Sequence, residues 1–153
     1  MASANDTDPE TNYRLALALI RDNKVNGDSS SLAEAVPILK EAAASGHAKA
    51  QSELGALYLD GRGVVQDFVQ ASAWYQKAAD QGDADAMLAL GRMYRAGWGM
   101  EADLVNAYIW LNLASARGQA AAQQARQEIL SQLSAEELNE AQLASRELDR
   151  VLP

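Results

Sequence analysis

The chain repeats itself every 36 residues, and this interval constrains its fold more than any single residue does. Gly46, Gly82 and Gly118 stand 36 apart, as do the pairs Leu54/Leu90, Gly55/Gly91, Tyr58/Tyr94, Gly61/Gly97, Gly63/Gly99, Asp67/Asp103, Ala71/Ala107, Trp74/Trp110 and Ala78/Ala114. A recurrence of roughly 20–50 residues marks stacked supersecondary units, none of which buries its apolar face without a neighbour. The apolar share is dominated by alanine, with a single Phe. Alanine is the strongest helix former and lets helices approach closely, so the units are expected to be helical and the stack all-α, with strands excluded.

The charge balance narrows the partners. With 13 Lys+Arg against 21 Asp+Glu the net charge is -8, which repels phosphate backbones and anionic membrane surfaces. No nucleic acid partner is expected. There is no cysteine and only one histidine, which removes disulfides, thiolate metal sites and a cysteine nucleophile. No stretch approaches about 18 consecutive apolar residues, so no membrane insertion is expected. The N-terminus has no apolar signal-peptide core, yet Ala2-Ser3-Ala4 reads like the small-residue end of a signal cleavage site. That tilts the expected location from the cytoplasm toward the periplasm.

Local signals divide the chain. Residues 1–9 read as a loose polar tail ending in Pro9, and residues 10–150 as one solenoid domain. Its repeats are expected at about 10–46, 47–82 and 83–118, followed by a partial copy at 119–132 and a capping helix at 134–150. Tyr13 to Asn23 reads as the first helix. Ser31-x-x-Glu34 reads as a capping box opening the second, with Pro37 inside it and Gly46 closing it. The next helices are expected from Ala48 to Asp60 and from Asp67 to Asp80, with Asp67 as cap, and the same pattern recurs from Ala84 to Arg117 with Asp103 as cap. Ala120 to Gln132 is a degenerate copy in which Arg126 and Gln127 replace Leu and Gly. Ser134-x-x-Glu137 opens a last amphipathic helix that reads as a lid over the end of the stack. In the first repeat Leu15, Ala16 and Leu19 fit the period best if the following loop is three residues longer.

The string Leu54-Gly55-x-x-Tyr58-x-x-Gly61-x-Gly63-Val64-x-x-Asp67, followed by Ala71-x-x-Trp74-Tyr75-x-Lys77-Ala78-Ala79-x-x-Gly82, resembles the Sel-one-like repeat (SLR), a cousin of the tetratricopeptide repeat. The second copy departs at Met100, Leu111 and Asn112, and the closing Leu133-Ser134-x-Glu136-x-Leu138-x-Glu140-Ala141-Gln142 is similar to the tail of bacterial members. The resemblance implies a right-handed α/α superhelix of helix-turn-helix repeats, about eight helices with a C-terminal cap. Each repeated residue has a matching physical task. Gly55 and Gly91 cost about 1 kcal/mol against Ala inside a helix, a loss tolerable where another backbone comes close. Gly61, Gly63 and their copies supply positive φ. Trp74 and Trp110 are expected to be buried between repeats as structural anchors.

Little in the sequence assembles chemistry. Gly97-x-Gly99-x-x-Ala102 matches a dinucleotide fingerprint in letters, but no strand precedes it and the same loop occurs as Gly61-x-Gly63-x-x-Gln66. His47, at a repeat junction, reads as structural. Asp83 and Asp85 begin a helix, where carboxylates favour the dipole without calcium, and Asp67 and Asp103 read as caps rather than an acid-base pair. There is no G-x-S-x-G elbow and no H-E-x-x-H, so no catalytic, cofactor or metal site is expected. The cysteines of SLR relatives once credited with hydrolase activity are absent.

Function is then expected where the copies differ. In tetratricopeptide-like solenoids the first helix of each repeat lines the concave, peptide-binding face. The corresponding positions are Tyr13; Lys49, Ser52, Ala56 and Leu59; Asp85, Leu88, Arg92 and Arg95; and Gln124 and Glu128. Arg92 and Arg95 lie on one face and suit carboxylates of a partner. Trp98 stands where the preceding repeat has Arg62, and reads either as a contact anchor or as packing on its neighbour. The expected function is a non-catalytic scaffold binding a segment of another protein, as a monomer or weak homo-oligomer. Two alternatives stay open: an envelope enzyme or regulator acting on carbohydrate or peptidoglycan, and a self-assembling repeat protein.

Overall fold

A computed structural model describes residues 8–153, and among them there are eight helices and no strand. They are α1 (Pro9–Asn26), α2 (Ser29–Ala44), α3 (Ala48–Asp60), α4 (Phe68–Asp80), α5 (Ala84–Ala96), α6 (Leu104–Ala116), α7 (Ala120–Leu130) and α8 (Ala135–Val151). Each of α1 to α6 packs on its chain neighbours, which makes a helical solenoid. None is long and apolar enough to cross a membrane.

The two regular repeats, α3–α4 and α5–α6, follow the periodic residues. Asp67 and Asp103 accept N–H bonds from Gln70 and Asn106, each at 3.0 Å, and so start α4 and α6. Within each pair the mid-helix glycine marks the crossing. A Cβ at Gly55 would stand 3.0 Å from the Tyr75 ring, and one at Gly91 only 2.6 Å from Leu111 Cγ. Apolar side chains gather in two clusters, one from α1–α3 and a larger one from α4–α8. The register-equivalent tryptophans part here. Trp110 is 6% exposed in the larger cluster, whereas Trp74 is half-buried against the smaller one with the Lys77 ammonium 4.5 Å above its ring.

The first repeat departs from expectation in three places. Of the expected tail, residues 1–7 lie outside the described residues, and Asp8 and Pro9 belong to α1. Asp8 Oδ2 accepts from Thr11 N at 3.3 Å, and Pro9 occupies the first helical position, where its missing N–H costs nothing. The capping box at Ser31 does not form. Asp28 caps α2 by accepting from Ser30 N at 2.9 Å, and Ser31 is buried one turn later with its hydroxyl donating to Asp22 Oδ2. Nor is the first loop longer: Gly27 and Asp28 alone join α1 to α2. The buried pair Asn12 and Ala16 nonetheless sits 39 residues before the buried pair Gln51 and Gly55, so the face of α1 is shifted by three. Longer helices, 18 and 16 residues against 13 in the regular repeats, absorb the difference.

The last helix starts on the expected capping box, Glu137 N donating to Ser134 Oγ at 3.0 Å and Ser134 N to Glu137 Oε1 at 3.4 Å. It packs against α6 rather than pairing with α7. Its end is held by Arg117, which donates to Asp149 Oδ1 at 2.9 Å and to the Pro153 carbonyl at 3.0 Å. The chain end therefore lies beside Gly82, whose Cβ position would be 2.6 Å from that carbonyl oxygen.

Candidate partner-binding face

The first helices of the repeats, α1, α3, α5 and α7, are tied together by their own caps. His47, Asp83 and Gln119 stand 36 apart and cap α3, α5 and α7. His47 Nδ1 accepts from Ala50 N at 3.1 Å, Asp83 Oδ1 from Ala86 N at 3.0 Å, and Gln119 Oε1 from Ala121 N at 3.0 Å. The remaining polar atom of each cap faces the second residue of the preceding first helix. His47 Nε2 lies 2.8 Å from Glu10 Oε2, Asp83 Oδ2 3.0 Å from Lys49 Nζ, and Gln119 Nε2 donates to Asp85 Oδ1 at 2.6 Å. The position repeats but the chemistry does not.

These latches carry different weights. Asp83 is 6% exposed, and Lys49 meets its Oδ2 as a charge outside hydrogen-bonding angle, with Asp85 Oδ2 a further 3.8 Å contact. Burial lowers the Lys49 ammonium, but Asp83 and Asp85 outweigh it and raise it above the ordinary lysine value. Asp83→Ala should cost about 1–2 kcal/mol through the lost cap, whereas Asp83→Asn keeps an acceptor for Ala86 N and should cost less than half of that. Urea unfolding of both variants checks this, and equal losses would mean that the charge rather than the cap matters.

The Glu10 carboxyl is held below its usual range by hydrogen bonds from His47 and then Arg14. A depressed carboxyl contributes stability above its unfolded value and loses it as pH falls through the folded one. The window therefore lies below about pH 4.3, the ordinary glutamate value. Glu10→Gln should flatten the fall in melting temperature across that window and lower the neutral-pH melting temperature by a matching amount, both small because the pair is solvent-screened.

Beyond the latches, α5 and the loop after it form a hollow of about 400 Å³ with Leu59 of α3 and Tyr75 of α4. Leu59, Leu88, Ala89, Met93 and Trp98 supply apolar walls, and Asp85 and Arg92 the charge. Trp98 packs on its neighbour, its ring stacking on Phe68 at 5.5 Å between centroids, and it stays 44% exposed. Arg92 also lines the adjoining smaller hollow of about 150 Å³ with Arg95, Gln124 and Glu128. There Arg95 is spent on Glu128, Nη1 to Oε2 at 2.7 Å. Among the described residues Arg92 makes no ion pair or hydrogen bond.

Of the nine positions expected to meet a partner, Asp85, Arg92, Arg95, Trp98, Gln124 and Glu128 line these two joined hollows, together with Leu59 and Leu88. Tyr13 instead stacks on His47 at 4.6 Å, Lys49 is committed to Asp83, and Ser52 is half-buried away from both hollows, as is Ala56. Glu53, which the repeat gave no reason to single out, is half-buried, and burial raises its carboxyl above the usual range. No group of three His, Cys, Asp or Glu side chains among the described residues is arranged to hold a metal ion.

Comparison with known proteins agrees with this geometry. The Sel1 repeat pattern matches residues 48–83 and 84–119, the same two units as α3–α4 and α5–α6. The crystal structure of c5321, a protective antigen present in uropathogenic Escherichia coli strains and displaying an SLR fold, is 33% identical over 95% of this chain with a TM-score of 0.87. This chain spans 30% of that longer one. The Sel1 repeat protein from Oxalobacter formigenes is 32% identical, with 79% of this chain and 89% of that one covered at a TM-score of 0.68. No curated protein sequence matches the chain. Two matched repeats, and a relative 32% identical that is covered almost end to end, carry the assignment: the chain belongs to the Sel1 repeat family.

Proposed function

We propose that the chain is a non-catalytic adaptor that binds an extended segment of another protein across α3 and α5. Sel1 repeat proteins are in general protein-interaction scaffolds and typically not enzymes. The observation that carries the finer reading is the hollow beside these helices, where a half-exposed Trp98 and an unpaired Arg92 adjoin the apolar walls of Leu59 and Leu88. An exposed aromatic beside a guanidinium that has no ion pair is the composition of an interface anchor. The segment that suits it carries an apolar side chain for the hollow and a carboxylate for Arg92. Lys49 and Arg95 are bound within the chain and contribute shape rather than recognition.

The test starts from peptides selected on the parent protein from a random library. Trp98→Ala and Arg92→Glu should each weaken the selected peptides about tenfold, near 1.4 kcal/mol. Val65→Ser, at a loop position 89% exposed and outside the hollow's lining, should leave them unchanged. Affinities indifferent to both substitutions remove the assignment of this face.

A further inference from the structure

Where the repeat pattern breaks down on α7, a hollow opens beside it. Arg126 and Gln127 on α7 occupy the register of Leu90 and Gly91, 36 residues earlier. Leu90 is 1% exposed and Gly91 admits Leu111 of the paired helix to a distance a Cβ would forbid. A charged side chain and a long amide at these places leave the following helix no such seat. Accordingly α8 packs on α6, and a wedge of about 460 Å³ remains between α6, α7 and α8.

Leu130 and Leu138 give the wedge an apolar part, and its polar lining is chemically one-sided. It holds the guanidinium groups of Arg126 and Arg146, the carboxamides of Asn112, Gln127 and Gln142, and the phenol of Tyr108. No carboxylate lines it, in a chain whose net charge is -8. The Arg126 guanidinium is already oriented, since Nη1 donates to Asn112 Oδ1 across from α7 to α6. Neither arginine has an ion pair among the described residues. The volume falls within the roughly 300–1,000 Å³ of small-molecule sites.

From this we infer that the wedge is a binding site for a small hydroxylated anion, of the chemical class of a sugar acid or sugar phosphate. Two guanidiniums meet the oxyanion, with the planar donor pairs that suit carboxylate or phosphate. The three carboxamides and the phenol, which both donate and accept, meet hydroxyl groups. The site is separate from the α3–α5 face, because the two share no lining residue.

The experiment is an NMR titration of the full chain with four probes: glucuronate, glucose 6-phosphate, glucose and inorganic phosphate. Saturable shifts of the Arg126, Gln127, Gln142 and Arg146 side-chain signals are expected from glucuronate or glucose 6-phosphate, at least tenfold tighter than from glucose or inorganic phosphate. Arg146→Glu, on an exposed helical position, should keep the folded spectrum and weaken that binding at least tenfold. Arg126→Gln should weaken it as well, with Arg146 intact. The proposal is overturned if neither sugar anion saturates these signals, if inorganic phosphate alone does so equally well, or if Arg146→Glu leaves the affinity unchanged.

Discussion

Trp110→Ala should lower the unfolding free energy by about 3–5 kcal/mol, the largest single-residue loss expected in this chain. The indole is 6% exposed within the larger cluster, and it faces Ala144 and Leu148 of α8 across a shallow hollow. Removing it leaves a void that the flanking Leu111 and Leu113, themselves fully buried, have no room to fill. Against a total stability of about 5–15 kcal/mol the loss is severe, and it corresponds to a fall of about 10 °C in melting temperature. Trp74→Ala, in the same register, should cost no more than half as much. Its ring is half in solvent, and the Lys77 contact it would lose is worth about 0.5–1 kcal/mol at such a site. Urea unfolding of the two variants decides the matter. Equal losses would mean that the repeat position, and not the local burial, sets the energetics.

Gly91→Ala is the second large effect, and its sign opposes helix propensity. In an unencumbered helix the change would gain about 1 kcal/mol. Here the new Cβ would stand 2.6 Å and 2.7 Å from Leu111 Cγ and Cδ2 and 3.3 Å from the Ala107 carbonyl oxygen. Leu111 is fully buried and has nowhere to go, so overpacking should give a net loss of about 1–3 kcal/mol. Gly55→Ala should be milder, because its nearest approach, to the Tyr75 ring, is 3.0 Å. A double-mutant cycle of Gly91→Ala with Leu111→Ala isolates the contact. The two changes should couple favourably by at least about 1 kcal/mol, and simple additivity would remove the steric explanation.

The parts of this fold that could be read from the sequence are those the period dictates. Bounds of α3 and α5, the capping aspartates of α4 and α6 and the close approaches at Gly55 and Gly91 all follow from residues whose identity is fixed by a task repeated in each unit. At the first repeat the period misleads. Asp8-Pro9 looks like the end of a tail and is a helix start, and Asp28 takes the cap that Ser31 offers three residues too late to close a two-residue turn. The latches were hidden for a different reason. Glu10–His47, Lys49–Asp83 and Asp85–Gln119 share geometry but no chemistry, so a comparison of letters between copies discards them as variation.

The same subtraction affected the candidate site. The candidate positions were chosen because they vary and point outward, and variability alone does not separate a residue bound inside the chain from one left free. Lys49 and Arg95 looked equivalent to Arg92 in sequence, and each has found a carboxylate one repeat further along. Arg126 and Gln127 are a different case. They read as decay of a terminal repeat, whereas their bulk and charge coincide with the displacement of α8 and the opening of the wedge.

Hydrogen–deuterium exchange of the full chain, free and saturated with a library-selected peptide, tests the partner-binding reading most directly. Protection is expected on the second half of α3, on α5 around Leu88 to Arg92, and in the loop at Trp98, with α2 and α8 unchanged. Protection confined to α4, α6 or α8, with α3 and α5 exchanging as in the free protein, would contradict a partner site on this face.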